Sequence, residues 1–242
     1  MSYLLVAAAA IAVSFLLALA LWRLGIRYSW HREIRPRDVH QEPTPRLGGI
    51  AVYVGMVLAA LVASQLPLFE DVFANPQPII AVLAAGFIVV ALGVVDDLID
   101  LDWLTKLSGQ FIAAGVVAWQ GVQIVSLPIG GITLFSPTLS LVLTVLAVVL
   151  VMNAVNFIDG LDGLAAGVAL ISNGVFFLYA LVLSLGEAGT PYFGLATLLT
   201  VLLAGALLGF LPVNWHPAKL FLGDSGALLV GLIMSVSAIS VT

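Results

Sequence analysis

Eight apolar runs, each close to the roughly 20 residues needed to cross about 30 Å of hydrocarbon, constrain this sequence more than anything else in it. They lie at about 3–24, 47–67, 78–95, 106–125, 138–157, 164–185, 192–213 and 226–241. With 62% of its 242 residues hydrophobic and only 9% charged, the chain cannot clothe a soluble surface. The expectation is an all-α, polytopic transmembrane helix bundle of about eight spans, forming one domain over 1–242. The fourth run is the weakest, since Ser108, Gln110 and Gln120 interrupt it. The first reads as an uncleaved anchor, because nothing basic precedes it while Arg23 and Arg27 follow.

Composition removes several function classes. There is no cysteine, hence no disulfide, iron–sulfur cluster or thiolate zinc site. Three scattered histidines argue against a histidine-built zinc site. A metal here is expected to be a hard cation on oxygen ligands. The net charge of −5 is small and no basic tract occurs, so nucleic acid is not an expected partner.

Eight spans place the loops alternately on two sides. All eight bases, Arg23, Arg27, Arg32, Arg35, Arg37, Arg46, Lys106 and Lys219, fall in or beside the loops of one side. The positive-inside rule makes that side cytoplasmic and the N-terminus external. The opposite loops carry only Glu70, Asp71 and Glu187, and Gln123–Phe135 alternates weakly enough around Gly130-Gly131 to suggest a short hairpin.

The remaining acids collect on the basic side. Asp96, Asp97, Asp100 and Asp102 end the third span, Asp159 and Asp162 end the fifth, and Asp224 precedes the eighth. Asp102, Asp162 and Asp224 each precede an apolar helix and read equally as N-caps. Asp96 and Asp97 sit at a helix C-terminus, where the macrodipole disfavours negative charge, and a continued helix would bring Asp100 onto the same face. A bound cation would account for them. Asn153 and Asn156 add amide oxygens to an otherwise apolar helix end, and Gly160, Gly163, Gly223 and Gly226 flank the acids. Glycine there allows close approach of backbone to a ligand. With Arg46, Lys106 and Lys219 in the same loops, the set suits a phosphate substrate bridged by magnesium.

Four blocks carry a family resemblance: His40–Gly49 (HQEPTPRLGG), Gly93–Lys106 (GVVDDLIDLDWLTK), Asn153–Gly167 (NAVNFIDGLDGLAAG) and Asn214–Gly226 (NWHPAKLFLGDSG). In order and spacing they resemble the polyprenyl-phosphate N-acetylhexosamine-1-phosphate transferases of glycosyl transferase family 4. The likeness is greatest to the bacterial branch that moves GlcNAc-1-phosphate from UDP-GlcNAc onto undecaprenyl or decaprenyl phosphate. The resemblance implies that Asp96 and Asp97 are catalytic, acting on the lipid phosphate, and that Asn156 and Asp224 hold magnesium, with manganese as a substitute. It implies a substrate-binding set of Thr44, Arg46, Asp100, Lys106, Asn153, Asp159, Leu161, Asp162 and Lys219. Lys106 would hold phosphate, and Asp159, Leu161 and Asp162 would line the uridine side. The expected partners are a UDP-sugar, a polyprenyl phosphate and the cell membrane, with a homodimer left open. The short segment after Asp97, together with Pro43–Gly49, favours this branch over the peptidoglycan-precursor transferases. Members of the family usually continue for two or three more spans with a histidine-bearing cytoplasmic loop, which this sequence does not include.

Two alternatives compete. A CDP-alcohol phosphotransferase would need an arginine soon after the first Asp-Gly and further acids downstream. Ala166 and the acid-free stretch from Gly163 to Gly186 do not supply them. An ion-coupled transporter would carry ionisable groups near the bilayer midplane, whereas the middle of every run here lacks them.

Overall fold

The computed structural model describes residues 1–28, 30, 44–128, 132–184 and 191–241. Arg32, Arg35, Arg37, Glu187 and the Gly130-Gly131 turn lie outside the described residues. The helices are α1 (Ser2–Arg27), α2 (Gly48–Ala63), α3 (Glu70–Ala74), α4 (Gln77–Ile99), α5 (Trp103–Trp119), α6 (Pro137–Ile158), α7 (Leu164–Ser184), α8 (Pro191–Asn214) and α9 (Gly223–Ile239). Each of the eight expected runs corresponds to one helix. α1, α4, α6, α7 and α8 are long and apolar enough to cross a membrane, and α2 joins them if it counts as one span with the segment Pro67–Ala74, bent from it by 100°.

The fourth and eighth runs differ from expectation. α5 ends at Trp119, and α5 and α9 have 17 residues each, about 26 Å of helix. α5 keeps its interrupting Gln110 fully inside, where the Gln110 Oε1 accepts from the Asn153 amide of α6 at 2.5 Å. An amide pair between two apolar helices satisfies both polar groups away from water. α9 is buried almost throughout, surrounded by α2, α4, α6 and α8. The expected hairpin is present: β1 (Ser126–Pro128) pairs antiparallel with β2 (Ile132–Leu134), Leu127 opposite Thr133.

α9 reaches its central place through glycines. A Cβ on Gly93 of α4 would lie 2.3 Å from the Ser225 Cα, one on Gly49 of α2 2.3 Å from the Gly226 N, and one on Gly231 2.6 Å from the Met152 Cα of α6. Backbones at such separation leave no volume for a methyl group. Gly174 of α7, by contrast, faces open space. Gly231→Ala should therefore destabilise the detergent-solubilised protein by about 1–3 kcal/mol, while Gly174→Ala should be neutral or slightly stabilising through helix propensity. Thermal unfolding of the two variants beside the parent checks this, and equal behaviour would contradict the packing.

Candidate active site at the α4–α9 junction

The C-terminal turn of α4 meets the N-terminal turn of α9, with α5 and α6 on either side. Asp96 Oδ1 accepts the Leu101 N–H at 3.0 Å, and Asp96 Oδ2 lies 2.8 Å from Lys106 Nζ. Lys106 also pairs with Asp224 Oδ2, so one ammonium bridges acids from α4 and α9. Asn156 of α6 donates its amide to Asp224 Oδ1 at 3.0 Å. The Asp97 oxygens accept the N–H groups of Asp224 and Ser225 at 3.3 and 3.4 Å. Five predicted residues from four helices thus form one hydrogen-bonded cluster: Asp96, Asp97, Lys106, Asn156 and Asp224.

Arg46 and Asp159 border it. The segment before α2 runs beside the chain entering α9: Phe221 N–H donates to Pro45 O at 2.9 Å, Gly48 N–H to Phe221 O at 3.0 Å and Gly49 N–H to Leu222 O at 3.0 Å. This pairing brings the Arg46 charge within electrostatic reach of Asp97 and Asp159, and Thr44, half-buried, begins the same segment. Asp159 ends α6 as its C-cap residue. Burial first, and the Asp224 charge second, push its carboxyl up to about 7, against the lowering by Arg46 and the Gly223 N–H.

The other predicted residues stand apart. α4 stops at Ile99, and Asp100 takes a left-handed conformation (φ 61°) as its C-cap, exposed to solvent, so the helix that would carry it onto the face of Asp96 does not continue. Asn153 is committed to Gln110 and to its own helix through Val149 O at 2.8 Å. Lys219 places its ammonium 4.9 Å from the Trp22 ring centre, a cation–π contact at the end of α1. Asp162 Oδ2 takes the Ala218 N–H at 3.1 Å and faces His216 Nδ1 at 2.8 Å, while Leu161 beside it is exposed.

The capping question divides. Asp102 is an N-cap, accepting the Thr105 N–H at 2.9 Å, and the Thr105 hydroxyl and N–H hold its carboxyl below the usual range. Asp224 is not a cap, since α9 starts at Gly223 with Leu222 before it and no side-chain cap, and Asp162 bonds across to the loop before α9. One residue went unselected by sequence reasoning. Asn214 accepts the Gly163 N–H at 3.1 Å and donates to Leu220 O at 3.0 Å, tying the loop after α6 to the loop before α9. Its signal was the one used for Asn156, an amide ending an apolar helix.

The donor set fits magnesium. Its ligating atoms are carboxylate and amide oxygens with no sulfur, and Asn156 and Asp224 already touch. Among the described residues no three Asp, Glu or His side chains converge into a metal cage. Magnesium is typically held by one or two protein groups, with water and substrate phosphates completing the shell. Above about pH 7, where Asp159 also ionises, the acids Asp96, Asp97, Asp159 and Asp224 outnumber Lys106 and Arg46, and a divalent ion would offset the excess.

The Asp159 value sets a pH dependence. An unfolded aspartate ionises around its ordinary value of 3.8, whereas the folded group keeps its proton to about 7. Between those values the folded state binds more protons, so stability falls as pH rises and levels off above about 7. Asp159→Asn removes that dependence. In chelator-treated protein, the melting temperature of the variant should gain on the parent by several degrees between about pH 5 and pH 8. A constant gap would show that Asp159 is ionised throughout.

The sequence matches glycosyl transferase family 4 over residues 79–242. It is 40% identical over 219 residues to the decaprenyl-phosphate N-acetylglucosaminephosphotransferase of Mycolicibacterium smegmatis, covering 89% of this chain and 54% of that protein. A probable undecaprenyl-phosphate N-acetylglucosaminyl 1-phosphate transferase of Bacillus subtilis is 31% identical over 216 residues, 88% of this chain and 56% of its own length. The phospho-N-acetylmuramoyl-pentapeptide-transferase of Halalkalibacterium halodurans is 34% identical over 226 residues, covering 86% and 64%. The chain spans about half the length of the first two. With the family match covering most of the sequence and the clustered acids lying inside it, this chain belongs to glycosyl transferase family 4.

Proposed function

We propose that the protein serves transfer of an N-acetylhexosamine-1-phosphate, GlcNAc-1-phosphate in the first instance, from its UDP-sugar to a polyprenyl phosphate. UMP leaves and polyprenyl-diphospho-N-acetylhexosamine forms. This is a first membrane step of cell-wall or surface-polysaccharide synthesis. The observation that carries the reading is the cluster of Asp96, Asp97, Lys106, Asn156 and Asp224 at one end of an apolar bundle. The names of the relatives give the acceptor and the sugar.

In this reaction an oxygen of the lipid phosphate attacks the sugar-bearing phosphorus, and the bond to the UMP oxygen breaks. A phosphate monoester has its second pKa near 6, so the nucleophile is largely ionised at neutral pH and needs little help from a base. The larger task is to hold two polyanions together in a partly dehydrated site. Asn156 and Asp224 would hold magnesium, whose charge would neutralise the pyrophosphate and the departing UMP. Lys106, held between Asp96 and Asp224, supplies a fixed positive charge beside the transferred phosphate, and Arg46 a second on the other side of Asp97 and Asp159. Asp96 keeps the ammonium in place, and Asp97 meets the backbone of the α9 turn that carries Asp224. The hydrogen-bonded loops around Asp159, Leu161 and Asp162 flank the cluster where the nucleotide would enter.

Asp224→Ala and Asn156→Ala should each reduce transfer from UDP-GlcNAc to undecaprenyl phosphate at least about 100-fold while preserving a monodisperse, folded protein. Near-parental transfer by Asp224→Ala at limiting magnesium would remove that residue from the metal site.

The same reading places the cluster on the cytoplasmic side of the plasma membrane, with the N-terminus outside, because the bases gather at that end. In intact cells, single cysteines at Asp71 should react with an impermeant thiol reagent, while those at Trp103 and Gly160 should stay unlabelled until the cells are opened. The reverse pattern would invert the topology and exclude a cytoplasmic nucleotide-sugar donor.

A further inference from the structure

We infer that Asp97 is a positioning residue that caps α9 from a neighbouring helix, and that it acts on the reaction through Asp224. The inference rests on the transfer reading above, because Asp224 belongs to the turn that Asp97 holds.

A helix leaves its first four N–H groups without intrahelical partners. α9 has no side-chain cap of its own, since Leu222 precedes it in an α-helical conformation. The acceptors come from α4: Asp97 Oδ1 faces the Asp224 N–H at 3.3 Å and Asp97 Oδ2 the Ser225 N–H at 3.4 Å. A buried carboxylate here meets the positive end of the α9 dipole, which offsets its unfavourable place at the negative end of α4.

Two glycines make the approach possible. Gly223 has φ +71°, and a Cβ there would stand 2.6 Å from Asp97 Oδ2. Gly93 lies four residues before Asp97 on the same face of α4, and a Cβ on it would strike Ser225 backbone at 2.3 Å. The Gly93–Asp97 face is thus shaped as the seat for the first turn of α9. The turn seated there carries Asp224, whose side chain meets Lys106 and Asn156. With each of its oxygens engaged by a backbone N–H of the α9 turn, Asp97 is suited to holding that turn.

Two measurements on the same preparations test this. Amide hydrogen exchange at 223–226, read by mass spectrometry on the purified protein in nanodiscs, reports the cap. Transfer of GlcNAc-1-phosphate from UDP-GlcNAc to undecaprenyl phosphate reports the reaction. Asp97→Asn keeps one accepting oxygen for the α9 turn and turns the other into an NH2 group, so one of the two cap bonds is retained, and a single Asn oxygen is a good cap. It should hold exchange within a few-fold of the parent and transfer within about tenfold, with a pH profile of unchanged shape. Asp97→Ala should speed exchange roughly tenfold and cut transfer at least about 100-fold by displacing Asp224. If Asp97→Ala does not fold, the Asn variant decides alone. Loss of transfer in Asp97→Asn beyond about 100-fold, with exchange as in the parent, would make the carboxylate part of the chemistry and overturn the inference. Unchanged exchange in Asp97→Ala would overturn it too. A parent without transfer, in which the exchange effects still appear, would sink the transfer reading and leave the cap standing.

Discussion

The organisation of the site depends on backbone-to-backbone contact between α9 and its neighbours. Gly93, Gly49 and Gly231 remove side chains at three places around that helix, from three different elements. Without them, α9 would stand off by at least the width of a methyl group, and the polar turn at its start would lose its seat. In a membrane the gain from such approach is dispersion and the exclusion of lipid, because hydrocarbon gives helices little reason to associate through the hydrophobic effect. Small residues are therefore the means by which a uniformly apolar helix acquires one defined position.

That position has an electrostatic consequence. The carboxylates at the end of α4 face a helix C-terminus that repels them, yet they also face the N-terminus of α9, Lys106 and the Leu101 N–H. The opposed dipoles and the ammonium make a concentration of acids tolerable at the edge of a low-dielectric bundle. Asp159, buried at the end of α6 and beside the Asp224 charge, has weaker compensation and holds its proton to about 7.

The polar contacts outside the cluster serve a different purpose. Gln110–Asn153 locks α5 to α6 one turn deeper, Asn214 ties the loop after α6 to the loop before α9, and Asp162 holds the Ala218 backbone. Each replaces a hydrogen bond to water with one across an interface, so each fixes a relative position. Lys219, on Trp22, fastens the same loop to α1.

Much of this was legible in the chain itself. Apolar length marked the helices, because the bilayer imposes the same dimension on all of them, and one-sided bases with clustered acids marked the end where chemistry belongs. Asp96, Asp97, Lys106, Asn156 and Asp224 could be selected from residue type and place alone, since acids and amides at the ends of apolar helices require partners. Which partner each one meets was not legible. Asp102 caps its helix while Asp224, in the same kind of sequence context, does not; Asn156 enters the cluster while Asn153, one turn away, leaves it for Gln110; Lys219 turns to Trp22 instead of the acids. Those outcomes depend on contacts between residues distant in sequence, such as Asp97 and Ser225 or Lys106 and Asp224. Local sequence determined which polar groups needed satisfaction, and only the packing of α4, α5 and α6 around α9 decided by whom.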